Sequence, residues 1–177
     1  MDERSAGELA TQHLLDLGHE HIGYVGGPDY YLPTRQKAAG RDAALRAAGF
    51  EPDDLAVYAE DFSVEHGRNA LRKLLDADAP PTGVICSSDL MAIGVLQEAA
   101  ARGLRVPDDL SVVGFDGIDA AAWTSPPLTT VEQPIDEIAE TAVNALRSLI
   151  DDPRKPLPNY SFRPRLNVRG STAAPKT

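Results

Sequence analysis

Residues 82–94 read TGVICSSDLMAIG, and this segment indicates a buried strand that runs directly into a helix. The apolar run that ends at Cys86 suits a strand covered on both faces. The polar residues at 87–89 offer side chains that cap helices, and we expect Asp89 to be the cap. Apolar residues then recur at helical spacing, at Leu90, Ile93, Leu96 and Ala100.

A second strand follows this helix. Gly103 is suited to end the helix, and residues 110–117 read LSVVGFDG, which predicts a buried strand that stops at Asp116. Because strand-helix-strand crossovers are right-handed, the two strands should be parallel, with residues 87–89 and Asp116 at the same edge of the sheet. Open parallel sheets bind ligands at that edge.

The rest of the chain repeats the alternation of helix and strand. This order predicts an α/β fold, a doubly wound and mostly parallel sheet with helices on both faces. Residues 134–150 carry the clearest amphipathic stripe, which needs a covering surface. We expect the tail from Ser171 to fray. Helical patterns cover residues 7–17, 34–48 and 64–76, and strand patterns cover residues 22–25, 55–59, 128–131 and 166–169.

Composition excludes several functional classes. The chain has 17 basic and 27 acidic residues, a net charge of -10, which argues against its gripping the phosphates of a nucleic acid. The single cysteine, Cys86, cannot form an internal disulfide, which favours a reducing compartment. No apolar run approaches the roughly 20 residues that span a bilayer. We therefore expect a cytoplasmic protein with no membrane partner.

Several segments, in this order and spacing, resemble the effector-binding core of the lactose-repressor (LacI/GalR) family of transcription regulators. These are SDLMAIG at 88–94, VPDDLSVVGFD at 106–116, and PPLTTV at 126–131 followed by Gln133. The resemblance covers nearly the whole chain. It implies a type I periplasmic-binding-protein-like fold and a regulator whose helix-turn-helix headpiece lies outside this sequence.

The resemblance also implies a division of the chain. Residues 1–132 correspond to the C-terminal subdomain of the effector-binding core. Residues 133–158 correspond to a helix and linker that return toward an N-terminal subdomain, which this sequence does not contain. Residues 159–177 correspond to a closing strand and tail. The stripe on residues 134–150 would then be exposed unless another chain covers it.

Family ligands lie between the two subdomains, and the matching positions here are candidate ligand contacts. Phe62 matches an aromatic residue that stacks on ligands, and Asp116 matches a ligand-binding acid, whose carboxylate suits a polyol such as a sugar. Lys37 stands where the family has a basic residue, and Ser88 where it has an amide. The full set is Tyr31, Arg35, Lys37, Phe62, Ser88, Asp116 and Gln133.

Each candidate has a structural alternative. Phe62 is equally an aromatic core residue after a strand, and Asp116 is a good turn-former. Ser88 can simply help to cap the helix. Tyr31, like its neighbour Tyr30, can belong to an exposed loop tip, and Gln133 can be a hinge hydrogen bond.

The resemblance implies a homodimer that controls DNA binding through the headpiece when a small-molecule effector, a carbohydrate, binds. Met91, Val95 and Trp123 are the predicted dimer contacts, although Met91 and Val95 also suit the core. A transport-associated, periplasmic-type sugar-binding protein is the alternative. A phospho-acceptor domain using Asp61 or Asp116 lacks the expected acidic cluster and lysine.

Catalysis and cofactors find little support in the sequence. The histidines His13, His19, His21 and His66 lack metal-ligand spacing, and His19 and His21 are better explained as structural. The serines do not form a nucleophile elbow, and the glycines do not match a dinucleotide fingerprint. We predict no enzyme activity, no metal and no cofactor.

Overall fold

The protein forms one six-stranded sheet with helices on both faces. A computed structural model describes residues 2–52 and 55–176. The strands lie in the order β2-β1-β3-β4-β5-β6, the first five parallel and β6 antiparallel to β5. The predicted doubly wound, mostly parallel sheet is confirmed.

The elements begin and end close to the predicted positions. A short helix, α5, was not expected, and β2 and β6 are shorter than their patterns indicated. The helices are α1 (Glu3–Asp16), α2 (Leu32–Ala47), α3 (Val64–Leu75), α4 (Asp89–Ala101), α5 (Asp119–Trp123) and α6 (Ile135–Asp151). The strands are β1 (Ile22–Gly26), β2 (Ala56–Tyr58), β3 (Gly83–Cys86), β4 (Ser111–Asp116), β5 (Thr129–Glu132) and β6 (Arg165–Asn167).

Each face of the sheet has its own apolar core. On β3, Val84 and Cys86 join the core beneath α3 and α4, whereas Ile85 joins the core beneath α1 and α2. This alternation follows from the two-residue period of a strand. Because both faces are covered, the strands read as continuous apolar runs, as the sequence indicated.

Glycines allow the helices to pack in close pairs. A Cβ atom added at Gly67 of α3 would overlap the carbonyl of Met91 on α4, and one at Gly94 of α4 would overlap the carbonyl of Val64. Gly7 of α1 makes the same kind of close approach to α2. The helices that flank the loops at the sheet edge are therefore held at short backbone-to-backbone distances.

The C-terminal tail is anchored, so the prediction that it frays from Ser171 is wrong. The Ser171 hydroxyl is fully buried, donates to the Val112 carbonyl at 2.6 Å and accepts from the Thr129 amide at 2.8 Å. His19 is buried beside it, with Nε2 2.9 Å from the Ala173 carbonyl oxygen and Nδ1 2.8 Å from the Thr82 hydroxyl. His19 is thus structural, as predicted.

The buried His19 predicts a pH dependence of stability. Burial lowers the pKa of His19, although the hydrogen bond to Ala173 opposes the shift, so the folded chain holds the ring neutral. The unfolded chain takes up a proton near pH 6.5, so acidification below that pH favours unfolding. We expect the stability advantage of the wild type over His19→Gln, measured by urea unfolding, to shrink between pH 7.5 and pH 5.5. An advantage that stays the same at both pH values would contradict this.

Helix α6 packs differently from the others. None of its residues is buried, and several of its large apolar side chains are exposed to solvent. The exposed large ones include Ile135, Val143, Leu146 and Ile150. None of the described helices is long and apolar enough to cross a membrane.

Candidate ligand-binding site

Most of the candidate ligand contacts line one cavity. This cavity, of about 320 Å³, opens at the carboxyl ends of β3 and β4. Its lining includes Tyr31, Lys37, Phe62, Ser88, Asp116 and Gln133. It also includes Glu3, Pro33, Thr34, Ser87 and Leu90, which are not among the predicted ligand contacts. Residues from helices, strand β4 and the connecting loops therefore share the edge at which parallel sheets bind ligands.

Arg35 is the candidate that the fold does not bring to the cavity. It is exposed on α2 and is not part of the lining, whereas Lys37 is buried there. Residues two positions apart on a helix face different directions, so the two side chains do not share a surface.

Asp116 is the central acid of the cavity. It ends β4 with φ at 117°, a conformation that costs a non-glycine residue about 1–3 kcal/mol and often marks a functional site. Its Oδ1 accepts a hydrogen bond of 2.7 Å from the Gln133 side chain. Burial raises the pKa of Asp116, and the Gln133 hydrogen bond and the charge of Lys37 oppose that shift. A hydrogen bond from the Asp89 backbone amide to the Asp116 carboxylate also opposes the shift.

Lys37 supplies the positive charge. Its Nζ lies 2.7 Å from Glu3 Oε2, and only 7% of its side chain is exposed. The same Nζ lies 5.1 Å from the centre of the Phe115 ring, within range of a cation–π interaction. Glu3 was missed because no local motif marks it. It reaches Lys37 through the close packing of α1 on α2.

Two aromatic rings form one wall. Tyr31 and Phe62 meet edge to face, with ring centroids 6.0 Å apart at 74°. The Phe62 ring lies against Gly27, where an added Cβ would overlap the ring. A glycine at position 27 therefore lets Phe62 take its place beside the cavity.

The loop before α4 differs from the expectation. Ser88, rather than Asp89, caps the helix, because its Oγ accepts from the Met91 amide at 3.2 Å. The hydroxyl proton of Ser88 can still be donated to a ligand. Ser87 also lines the cavity, and its Oγ accepts from the Gly27 amide at 3.0 Å.

Asp89 is instead buried beneath the cavity. Its Oδ2 accepts from the amides of Gly117 and Ile118 at 2.8 and 2.9 Å, and its Oδ1 accepts from the Thr130 hydroxyl at 2.6 Å. Burial raises the pKa of Asp89 to about 6, although these hydrogen bonds oppose the shift. Asp89 therefore holds the loop that follows Asp116.

A Ser-His-Asp group near the cavity lacks the geometry of a catalytic relay. Asp61 and the Ser63 hydroxyl both contact Nδ1 of His66, so they compete for one ring nitrogen. Ser63 also caps α3. Within residues 2–52 and 55–176, no cluster of His, Cys, Asp and Glu side chains is arranged to hold a metal ion.

Comparison with known proteins identifies the family. Residues 11–172 match the family described as a periplasmic binding protein-like domain. A crystal structure of a putative LacI transcriptional regulator from Bacillus cereus subsp. cytotoxis NVH 391-98 superposes with a TM-score of 0.91 at 30% identity, covering 98% of this chain and 61% of that one. This chain belongs to the LacI/GalR family.

Other LacI/GalR relatives agree with this assignment. An uncharacterized HTH-type transcriptional regulator in the aml 5' region of Streptomyces limosus is 48% identical over 97% of this chain and 49% of that protein. The CytR repressor of Escherichia coli K12 is 37% identical over 98% of this chain and 51% of that protein. A LacI family regulator from Enterococcus faecium with bound ribose superposes with a TM-score of 0.89 at 32% identity. The match covers 99% of this chain and 65% of that one.

The chain spans about half the length of the curated relatives that it matches. Those relatives are transcriptional regulators, so a regulatory effector-binding core is supported over a transport-associated binding protein. The fold class and the family resemblance are thus confirmed.

The dimer contacts expected for the LacI/GalR core need a correction. Met91 and Val95 are both 0% exposed and belong to the core beneath α3 and α4, so their side chains offer no surface to a partner. Trp123, at the end of α5, is 80% exposed. Of the three predicted residues, only Trp123 is placed to contact another molecule.

Proposed function

We propose that this chain senses a carbohydrate effector in the cavity between Lys37 and Asp116, and that the full-length regulator converts binding into a change in DNA affinity. The observation that carries the proposal is the meeting of a carboxylate, an ammonium group, a hydroxyl and an aromatic wall in one cavity. No covalent step is needed for this role, so the chain acts as a binding protein rather than an enzyme.

A sugar fits this set of groups. Its hydroxyls both donate and accept, so Asp116 can accept them while Ser88 and Lys37 donate. The apolar face of a sugar ring suits the Tyr31 and Phe62 wall. Support also comes from relatives, since the Enterococcus faecium regulator holds ribose and a 38% identical Escherichia coli relative is named the ribose operon repressor.

We further propose that residues 1–132 form one wall of the effector cleft. On this proposal, residues 133–158, which include α6, return toward a second subdomain that covers their exposed apolar stripe, and residues 159–177 close the sheet. Trp123 contributes to a homodimer contact. The regulator works in the cytoplasm. It reaches DNA through a helix-turn-helix domain, because this core carries a net charge of -10 and is repelled by DNA phosphates.

Effector sensing then follows from linkage. A ligand that binds one arrangement of the two subdomains more tightly shifts the dimer toward that arrangement. Such coupling is typically about 1–3 kcal/mol and is reciprocal, so operator DNA changes sugar affinity by the same factor.

Removing the Asp116 carboxylate tests the proposed site. For Asp116→Ala in the full-length protein, we expect sugar affinity to fall about 100-fold, because two charge-assisted hydrogen bonds of about 1.5 kcal/mol each are lost. Calorimetric titration with ribose and common hexoses measures this.

Asp78→Ala, which removes an exposed carboxylate outside the cavity, is the matched control and should bind like the wild type. Circular dichroism checks that both variants are folded. Equal affinities for Asp116→Ala and the wild type would place the site elsewhere.

A further inference from the structure

The ion pair between Glu3 and Lys37 controls the charge of the candidate cavity, which both residues line. Lys37 Nζ lies 2.7 Å from Glu3 Oε2, and only 7% of the lysine side chain and 16% of the glutamate side chain are exposed. Charges interact more strongly when little water surrounds them. Neither the sequence motifs nor the comparisons assign a role to Glu3.

Close packing of α1 on α2 fixes this pair. Gly7 lies one helical turn after Glu3, and a Cβ atom added there would overlap the Lys37 carbonyl. Gly40 lies one turn after Lys37, and a Cβ atom added there would overlap the Arg4 carbonyl. The two helices therefore meet backbone to backbone at the turns that carry Glu3 and Lys37, so the carboxylate is held beside the ammonium group.

The described part of the cavity carries a net negative charge. Glu3 and Asp116 are the acids among its described lining residues and Lys37 is the base, so two carboxylates face one ammonium group. Burial is the main cause that raises the pKa of Asp116. Among the charges around it, that of Lys37 lowers this pKa and that of Glu3 raises it. Because Glu3 already pairs with Lys37, the charge of Asp116 is only partly compensated.

Asp89 adds a further negative charge beneath the cavity. Burial raises its pKa to about 6, so the carboxylate is largely ionised at pH 7. Its side chain accepts from two backbone amides and from the Thr130 hydroxyl, which are neutral groups. The charge of Asp116 also raises the pKa of Asp89, so the two carboxylates lie within electrostatic range of each other.

The start of helix α4 does not reverse this balance. The positive end of a helix dipole favours anions, and α4 begins beside the cavity. Asp89, in its first turn, offsets that partial charge, and the Ser88 hydroxyl accepts from the Met91 amide at 3.2 Å. An anion would therefore find one of the first amides of α4 already bonded and a carboxylate close by.

These charges oppose a phosphorylated ligand. A phosphate monoester carries about 1.5 to 2 negative charges at pH 7, whereas a sugar hydroxyl carries none. A phosphate group in the cavity would either displace Glu3 from Lys37 or lie near Asp116 while Lys37 stays paired, and both arrangements are unfavourable. Neutral hydroxyls avoid these costs, because they can donate to Asp116 and accept from Lys37 without adding charge.

We propose that Glu3 determines the specificity of the site for charge, so that the effector is an unphosphorylated sugar and its phosphate esters are rejected. This inference rests on the proposed function, because it concerns the charge of the same cavity. Glu3 acts in two ways. It neutralises Lys37, the cation that would otherwise attract a phosphate, and its own carboxylate repels one.

Calorimetric titration of the full-length protein tests the proposal with two matched pairs, ribose with ribose 5-phosphate and glucose with glucose 6-phosphate. For a pair that binds, we expect the unphosphorylated sugar to bind at least about 10-fold more tightly. Glu3→Gln should reduce this preference about 10-fold, because it frees Lys37 and removes one negative charge. Added salt should shrink the wild-type preference, which a purely steric cause would not explain.

Glu3→Asp, which keeps the charge, should retain the preference for the unphosphorylated sugar. Glu8→Gln is the matched control, because it removes a carboxylate on the same helix that is 42% exposed and lies outside the cavity. It should show the wild-type preference, and circular dichroism checks that each variant is folded.

The wild-type comparison needs no variant, so equal or tighter binding of the phosphorylated sugars would overturn the proposal on its own. A preference that is unchanged in folded Glu3→Gln would also overturn it. Either result leaves the sugar-sensing proposal intact, whereas failure of every sugar to bind would overturn both.

Discussion

Replacing Asp89 with alanine is expected to lower the free energy of unfolding by about 4 kcal/mol, because one buried and two partly buried donors lose their acceptor at about 1–3 kcal/mol each. Those donors are the amides of Gly117 and Ile118 and the hydroxyl of Thr130. The Asp89 side chain is fully buried, so water cannot replace it without entering the core. Urea unfolding of the variant and the wild type measures the difference.

Asp89→Asn is the informative control. Its amide oxygen can accept from Gly117 and Ile118, and its NH₂ group can donate to Thr130, whose hydroxyl can rotate to accept. We therefore expect it to lose about 1 kcal/mol, the scale of one weakened hydrogen bond. Thr130→Val should cost a similar amount. Equal destabilisation by alanine and asparagine would show that the carboxylate charge, rather than hydrogen bonding, matters.

The raised pKa of Asp89 adds a check with a defined sign. Because burial raises the pKa to about 6, the folded chain holds this proton at a pH where the unfolded chain has released it. The resulting contribution to stability is present below about pH 4 and is lost as the pH rises through about 6. The Asn variant cannot release this proton, so it should lack that component in a comparison of unfolding at pH 4 and pH 7.

The Asp89→Ala substitution should also weaken ligand binding. Asp116 directly precedes Gly117 and has a positive φ. The direction of its side chain therefore depends on how the amides of Gly117 and Ile118 are held. Asp89→Ala releases those amides, whereas Asp89→Asn keeps them. We expect the alanine variant to bind sugar more weakly than the asparagine variant under conditions in which both are folded.

The sequence predicted what depends on local pattern. Val84 to Cys86 and the strand ending at Asp116 were recognised because apolar runs bounded by helix caps and glycines are local signals. The right-handed crossover then brought Ser88 and Asp116 to one edge, which is a general rule of chain topology. The fold and the shared location of most candidate contacts therefore follow from the residues.

Hydrogen-bond partners that are distant in the sequence could not be predicted from local pattern. Asp89 resembles a helix cap locally, but its partners lie 28 to 41 positions away in the chain. Ser171 looks like part of a polar tail, but it bonds to Val112, 59 positions earlier. Met91 and Val95 belong to α4, which is apolar on nearly every side, so its sequence does not reveal which face is covered.

Gly67→Ala is the second large effect, with an expected loss of about 3 kcal/mol in the free energy of unfolding, at the upper end for overpacking. In an exposed helix interior the same substitution stabilises by about 1 kcal/mol, so the predicted sign is opposite to the intrinsic preference. The added Cβ would overlap the Met91 carbonyl, and a carbonyl fixed within α4 cannot move as a flexible side chain can. Helices α3 and α4 must therefore separate, which opens the core between them.

Two further variants distinguish this clash from a general effect of removing glycine. Position 103 has open space around an added Cβ and φ at 73°. Gly103→Ala should therefore lower the free energy of unfolding only by the cost of a left-handed backbone conformation, about 1–2 kcal/mol. Gly94→Ala clashes with the Val64 carbonyl across the same pair of helices, so its effect and that of Gly67→Ala should be less than additive. Once one Cβ has forced the helices apart, the second finds part of its space already open. Urea unfolding of the two single variants and the double variant measures this coupling, and full additivity would mean that each clash is relieved locally, without separation of α3 from α4.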